Sequence, residues 1–248
     1  MDSSTPMSPD TPPALQDQAS IWEDFLDIFY APSRVFARRA NGNFWIPMLL
    51  ATVLIAGLAF ANGNVMRPLF DAEFARNTAA AMKANPQLTP EMLNRTRDVS
   101  FAIARYGSVL LVPVMILFMA FFTWLGAKFV DAKISWNSAL VIVSYATFPK
   151  ILQQVVLSIQ GLLMDPSKLN SAFAVEIGPG RFLDPASASP ILGAVYHRLD
   201  LFVLWGLVLI AIGVAVIGKV PKAKAWALGI GLWVVTLLPG LYGAWKQM

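Results

Sequence analysis

Between Trp136 and Met164 the chain reads WNSALVIVSYATFPKILQQVVLSIQGLLM. A transmembrane helix needs about 20 mostly apolar residues, so this stretch crosses a bilayer with a turn or two to spare. Pro149 interrupts its middle. Proline cannot donate to the carbonyl one turn back, so a kink is predicted there. Lys150 follows directly, and then come Gln153, Gln154, Ser158 and Gln160. A charge at the bilayer centre costs about 2.5–3.5 kcal/mol on insertion scales, so it faces protein or water rather than lipid. The span is therefore expected at the centre of a helix bundle, with its polar half turned inward or lining a cavity.

Composition agrees. Apolar residues make up 56% of the 248 and charged residues only 14%, where soluble domains carry about 25% charged. The absence of cysteine excludes disulfides, thiolate metal sites and cysteine nucleophiles. A single histidine, His197, argues against a histidine metal centre, so neither metal nor cofactor is expected. The net charge of +4 marks no nucleic-acid patch. No Gly-x-Ser-x-Gly elbow, His-Glu-x-x-His pair, P-loop or paired intramembrane carboxylates occur, so enzyme chemistry has little footing.

Residues 1–19 are rich in Ser, Pro and Asp and are expected to form a disordered tail, with the membrane domain over 20–248. The N-terminus has no early apolar core, so the first span is expected to act as an uncleaved anchor. Ser20 and Glu23 form a capping box ahead of a short helix. On that helix Ile21, Trp22, Phe25, Leu26, Phe29 and Tyr30 share one face, and Glu23, Asp24 and Asp27 lie opposite. Pro32 ends it, and Arg34, Arg38 and Arg39 follow. The reading is an interfacial helix held by Trp22, Phe25 and Phe29 and by arginines among the headgroups. The competing reading packs it beneath the bundle, out of contact with lipid.

Five spans are predicted, at about 44–62, 106–128, 136–164, 196–218 and 225–245, giving an all-α polytopic fold with one short interfacial helix. A further helix should open at Thr89-Pro90-Glu91, with threonine at the N-cap and proline in the first turn, and continue into the second span. Pro68 to Lys83 also reads as helical. Residues 165–195 carry Pro166, Pro179, Pro185 and Pro190 and read as a loop with one short helix near Ser167 to Val175. Lys128, Lys133, Lys219, Lys222 and Lys224 fall on the same side as Arg34, Arg38 and Arg39. Positive charge marks the cytoplasmic face, so the N-terminus is expected inside the cell membrane and the C-terminus outside.

The Phe29-Tyr30-Ala31-Pro32 segment with Phe36 just before the first span, the helix opening at Thr89-Pro90-Glu91, and a third span carrying Tyr145 and Pro149 together resemble the Yip (Ypt/Rab-interacting protein) membrane proteins, specifically their bacterial members. The resemblance covers roughly residues 22–245. It implies a five-span fold and no catalytic residues. Eukaryotic relatives bind prenylated Rab GTPases and act in vesicle traffic and membrane shaping. Bacteria lack that machinery, so fold and topology carry over better than partner or activity.

Lys150 is the leading candidate residue. It could bind an anionic headgroup or solute, or bond carbonyls freed at the Pro149 kink. Asp131 and Asp200 are the nearest membrane-proximal acids, and regular spans would put both well away from it in depth. Tyr145, Gln153 and Gln154 could line the same pocket, although interhelical hydrogen bonding explains such residues more often. Asp200, near a helix start, is best explained by the helix dipole. The first functional reading is a non-enzymatic membrane protein that organises membrane or binds a lipid or partner. The rival is a small-solute or lipid transporter with a polar path along the third span, and an uncharacterised membrane enzyme comes third. Expected partners are the lipid bilayer, including anionic lipid, and an unidentified protein. A homo-oligomer stays open, and nucleic acid is not expected.

Overall fold

The structure, a computed structural model, describes residues 20–84, 87–169, 171–184 and 187–246. The proposed tail, residues 1–19, lies outside the described residues. Among those described, all regular structure is helical.

α1 (Ile21–Tyr30) opens on the expected capping box: the Glu23 amide donates to Ser20 Oγ at 3.2 Å, and the Ser20 amide donates to the Glu23 carboxylate. Pro32 starts α2 (Pro32–Arg38), which folds back on α1 as a hairpin. α3 (Trp45–Asn62) is the first span. α4 (Arg67–Ala84) and α5 (Pro90–Tyr106) follow, held together by Arg67, which bonds Asp71 within α4 and Asp98 of α5 at 2.7 Å.

α5 does not run on into the second span, α6 (Ser108–Phe129). The helix is interrupted at the single residue Gly107, where a Cβ would lie 2.4 Å from the Ile103 carbonyl oxygen, so only glycine fits. α6 ends in a Schellman turn. The Ala132 amide bonds the Ala127 carbonyl at 2.9 Å, with Asp131 left-handed at φ 59°.

The third span divides into α7 (Trp136–Ala146) and α8 (Pro149–Leu163), still close enough to collinear to cross as one. Pro149 occupies the first turn of α8, where its missing N–H costs nothing, and three-residue bonds bridge the joint. α7 is buried on every side from Ser138 to Ala146, which makes it the centre of the bundle as expected.

Beyond α8 the chain makes three 3₁₀ turns, at Pro166–Lys168, Ala172–Val175 and Pro179–Phe182, in place of the single short helix expected. The fourth span also differs from expectation. α9 (Pro190–His197) holds Tyr196, and α10 (Leu201–Ile217) starts afresh at an angle of 52°. Asp200 forces the break, because its carboxylate caps the Phe202 amide at 2.9 Å and so begins a new helix. α11 (Lys222–Trp245) is the last span. Four helices, counting α7–α8 as one, are individually long and apolar enough to cross a membrane, and the bent pair α9–α10 makes a fifth.

Tertiary bonds sort the loops into two ends. At the basic end Lys224 reaches Asp131 at 2.6 Å, and the Asn137 side chain donates to the Gly42 carbonyl at 2.9 Å. At the far end Asn62 bonds Ser158, the Ala172 amide bonds Glu73, and the Leu201 amide bonds Ile177. The chain has no native cysteine. Single cysteines at Asn77 and Ser187 should therefore react with an impermeant thiol reagent from one side of sealed vesicles, and a cysteine at Lys133 only from the other. Labelling of Asn77 and Lys133 from the same side would overturn the sorting of the two ends.

Candidate functional site

Two polar foci stand out, one on each side of the Pro149 joint. The first fastens the N-terminal hairpin. Asp24 is fully buried, and its carboxylate accepts from Arg38 at 2.8 Å, from Arg39 Nε at 2.5 Å and from the Tyr145 hydroxyl at 3.1 Å. Asp27 accepts from Arg38 at 2.6 Å and from the Tyr30 hydroxyl. The Tyr30 bond, and then the Arg38 guanidinium, hold the Asp27 carboxyl below its ordinary value.

The acid face of α1 is the one that meets the bundle. Asp24, Asp27 and Ile28 face the bundle, whereas Trp22, Leu26 and Tyr30 are exposed. Two arginines 14 and 15 residues downstream supply the charge that makes burial of Asp24 tolerable, and no helical periodicity could reveal them. Arg38 and Arg39 engage these carboxylates, while Arg34 is exposed.

Phe25 and Phe29 sit between the two faces. Phe25 packs on Phe148 with ring centres 5.3 Å apart, and Phe29 meets Trp205 edge-on at 5.6 Å. Residue 148 lies 12 residues into the third span, or about 18 Å at 1.5 Å per residue. Phe25 and Phe29 are thus seated against protein, while Trp22, Leu26 and Tyr30 of the same helix stay exposed. α2 follows it in, with Phe36 fully buried against Tyr145 and beside Gly213 of α10.

The second focus surrounds Lys150. At 100° per residue, Lys150 lies about 180° from Ile159 and about 140° from Val155, the exposed apolar face of α8. Gln154 and Ser158, on one flank, meet α3: the Asn62 side-chain nitrogen donates to Ser158 Oγ at 2.5 Å and to the Gln154 backbone carbonyl at 3.4 Å. Gln153, on the other flank, donates to Asp200 at 3.3 Å. Lys150 therefore points between α3 and the start of α10, into the bundle, and yet its side chain is exposed. An inward side chain that is exposed marks an open cleft.

Asp200 lies only one turn of α8 from Lys150, closer than regular spans predict, because α10 starts at the break rather than at Tyr196. It does not pair with Lys150. Its carboxylate serves the Phe202 amide, the Ile177 amide at 3.0 Å and Gln153. The structure thus sends the expected pocket residues to different places: Tyr145 to the hairpin, Gln153 to Asp200, Pro149 into the core, and Lys150 and Gln154 to the edge of the cleft.

Sequence reasoning missed Asp24 and Asp27 as buried anchors and missed Arg198 beside the cleft. An arginine in a helix-break tripeptide, Arg198-Leu199-Asp200, was the available signal for the last of these.

No curated relative and no solved structure matches the chain. The family model for the Yip1 domain matches residues 26–243, from the middle of α1 almost to the end of α11. Together with an all-helical bundle of four to five membrane-crossing helices, this match means that the chain belongs to the Yip1 domain family of multi-pass membrane proteins.

Proposed function

We propose that this protein is a non-enzymatic organiser of the bacterial inner membrane, acting through its N-terminal hairpin, with the basic end and the N-terminus in the cytoplasm. One observation carries the reading. The hairpin is fastened to the bundle by buried carboxylates and arginines, while Trp22 and Leu26 on its other side stay 66% and 59% exposed. An amphipathic helix of this kind buries its apolar side about 5–10 Å into the boundary between headgroups and acyl chains. Fixed rigidly to a membrane-spanning bundle, it occupies area in one leaflet only, and unequal leaflet areas bend a bilayer. The transporter reading draws no support from the third span, because the Tyr145 and Gln153 side chains bond Asp24 and Asp200, on opposite sides of the joint, rather than lining a common path.

The test is vesicle shape. Full-length protein reconstituted at a fixed protein-to-lipid ratio should give proteoliposomes of smaller diameter by electron cryomicroscopy than protein-free controls. A Trp22→Ser/Leu26→Ser variant should restore the control diameter. Equal diameters for the original protein and the variant would refute the proposal.

A further inference from the structure

The cleft beside Lys150 holds a second cation. Arg198 sits in the break between α9 and α10, its backbone fixed by a 2.9 Å bond from Trp233 Nε1 to its carbonyl. The Gln153–Asp200 bond ties that break to the first turn of α8, one turn from Lys150. Arg198 stands two residues before Asp200 and Lys150 three before Gln153, so that bond brings the two basic residues into one neighbourhood. Neither side chain has a hydrogen bond or ion pair among the described residues, and Arg198 Nε is buried without a partner.

Neither nearby acid bonds these cations. Asp200 accepts from three donors, and Glu176 bonds His197 through Oε1 while its Oε2 is buried without a partner. Two like charges gathered in a protein cleft, with the neighbouring carboxylates turned to other donors, repel each other and lack compensation, a costly arrangement away from bulk water. An anion would remove that cost. Arginine offers a planar fork that matches phosphate oxygens, and lysine adds a point charge.

We propose that Lys150 and Arg198 form a binding site for a phosphate-bearing anion, entered through the cleft between α3, α8 and the start of α10. The phosphate could come from an anionic phospholipid headgroup or from a soluble phosphate compound, and one experiment separates them. The full chain, purified and delipidated in a maltoside detergent, is melted with added phosphatidylglycerol, with phosphatidylcholine or with inorganic phosphate. Ligand at about 100 times its dissociation constant should raise the melting temperature by roughly 5 °C.

Stabilisation by phosphatidylglycerol alone supports the site and assigns it to lipid. Stabilisation by inorganic phosphate supports the site and assigns it to a soluble ligand. Lys150→Met and Arg198→Met should each abolish the shift, and Lys150→Arg should retain it. Without ligand, Lys150→Met should melt no lower than the original protein, because it relieves an uncompensated charge. Native mass spectrometry of the unaltered protein gives a reading independent of any variant: phosphatidylglycerol should be retained in preference to phosphatidylcholine, or a phosphate adduct should appear. No shift with any anion, a shift that survives both methionine variants, or equal retention of the two lipids with no phosphate adduct would overturn the proposal.

Discussion

Asp24→Ala should lower the melting temperature of the full-length protein by roughly 10 °C. The substitution leaves the Arg38 and Arg39 guanidiniums and the Tyr145 hydroxyl facing a buried gap. Removing one partner of a buried ion pair costs about 3–5 kcal/mol, and each kcal/mol shifts the midpoint of a chain this size by about 2–4 °C. The measurement is loss of the monodisperse size-exclusion peak after heating in detergent. Arg34→Ala, on the same hairpin but exposed, is the control and should stay within about 2 °C. If the two variants melted together, the carboxylate cluster would not be what fastens the hairpin.

The same measurement across pH tests the second carboxylate. The folded-state value of Asp27 lies below the ordinary one. Its contribution is therefore fully present above the unfolded value of about 3.9 and is lost as pH falls through the lower folded value. The hairpin should hold alike at pH 7 and pH 5 and loosen only below about pH 4.

The second large effect is expected at Gly213, where α2, α7 and α10 converge. A Cβ there would lie 2.8 Å from Ile142 Cγ2, 2.9 Å from Ile142 Cγ1 and 3.2 Å from Phe36. Gly213→Leu adds four carbons where not even one fits. Overpacking typically costs about 1–3 kcal/mol, and the hairpin, as the lightest of the three elements, is the one to yield. Trypsin should then cut at Arg38 and Arg39, whose side chains are only 13% and 32% exposed in the intact protein. Gly231→Leu, with nothing within 4 Å of its Cβ, should change neither cleavage nor melting. Protection of Arg38 and Arg39 in Gly213→Leu would mean that α2 does not seat against α10 at this point.

The sequence by itself determined the elements and their class. Apolar runs of 18 residues or more can be satisfied only in a bilayer or a large core, so the spans were legible from length and hydropathy. The ends of the helices at Ser20 and Thr89 followed from capping chemistry, which is local in the chain. So did the proline at the α7–α8 joint and the central place of the third span, because a polar, proline-broken helix must be surrounded by protein. Only the tertiary structure decided which face of α1 turns inward. Periodicity gave two candidate faces, and the acids went in because Arg38, Arg39 and Tyr145 wait for them there, 11 to 121 residues away. It likewise decided that Asp200 meets Gln153 and leaves Lys150 beside Arg198, since that depends on where α10 begins after the break. A charge's partner is set by distance in space, and the chain carries no local record of residues that fold next to it from another helix.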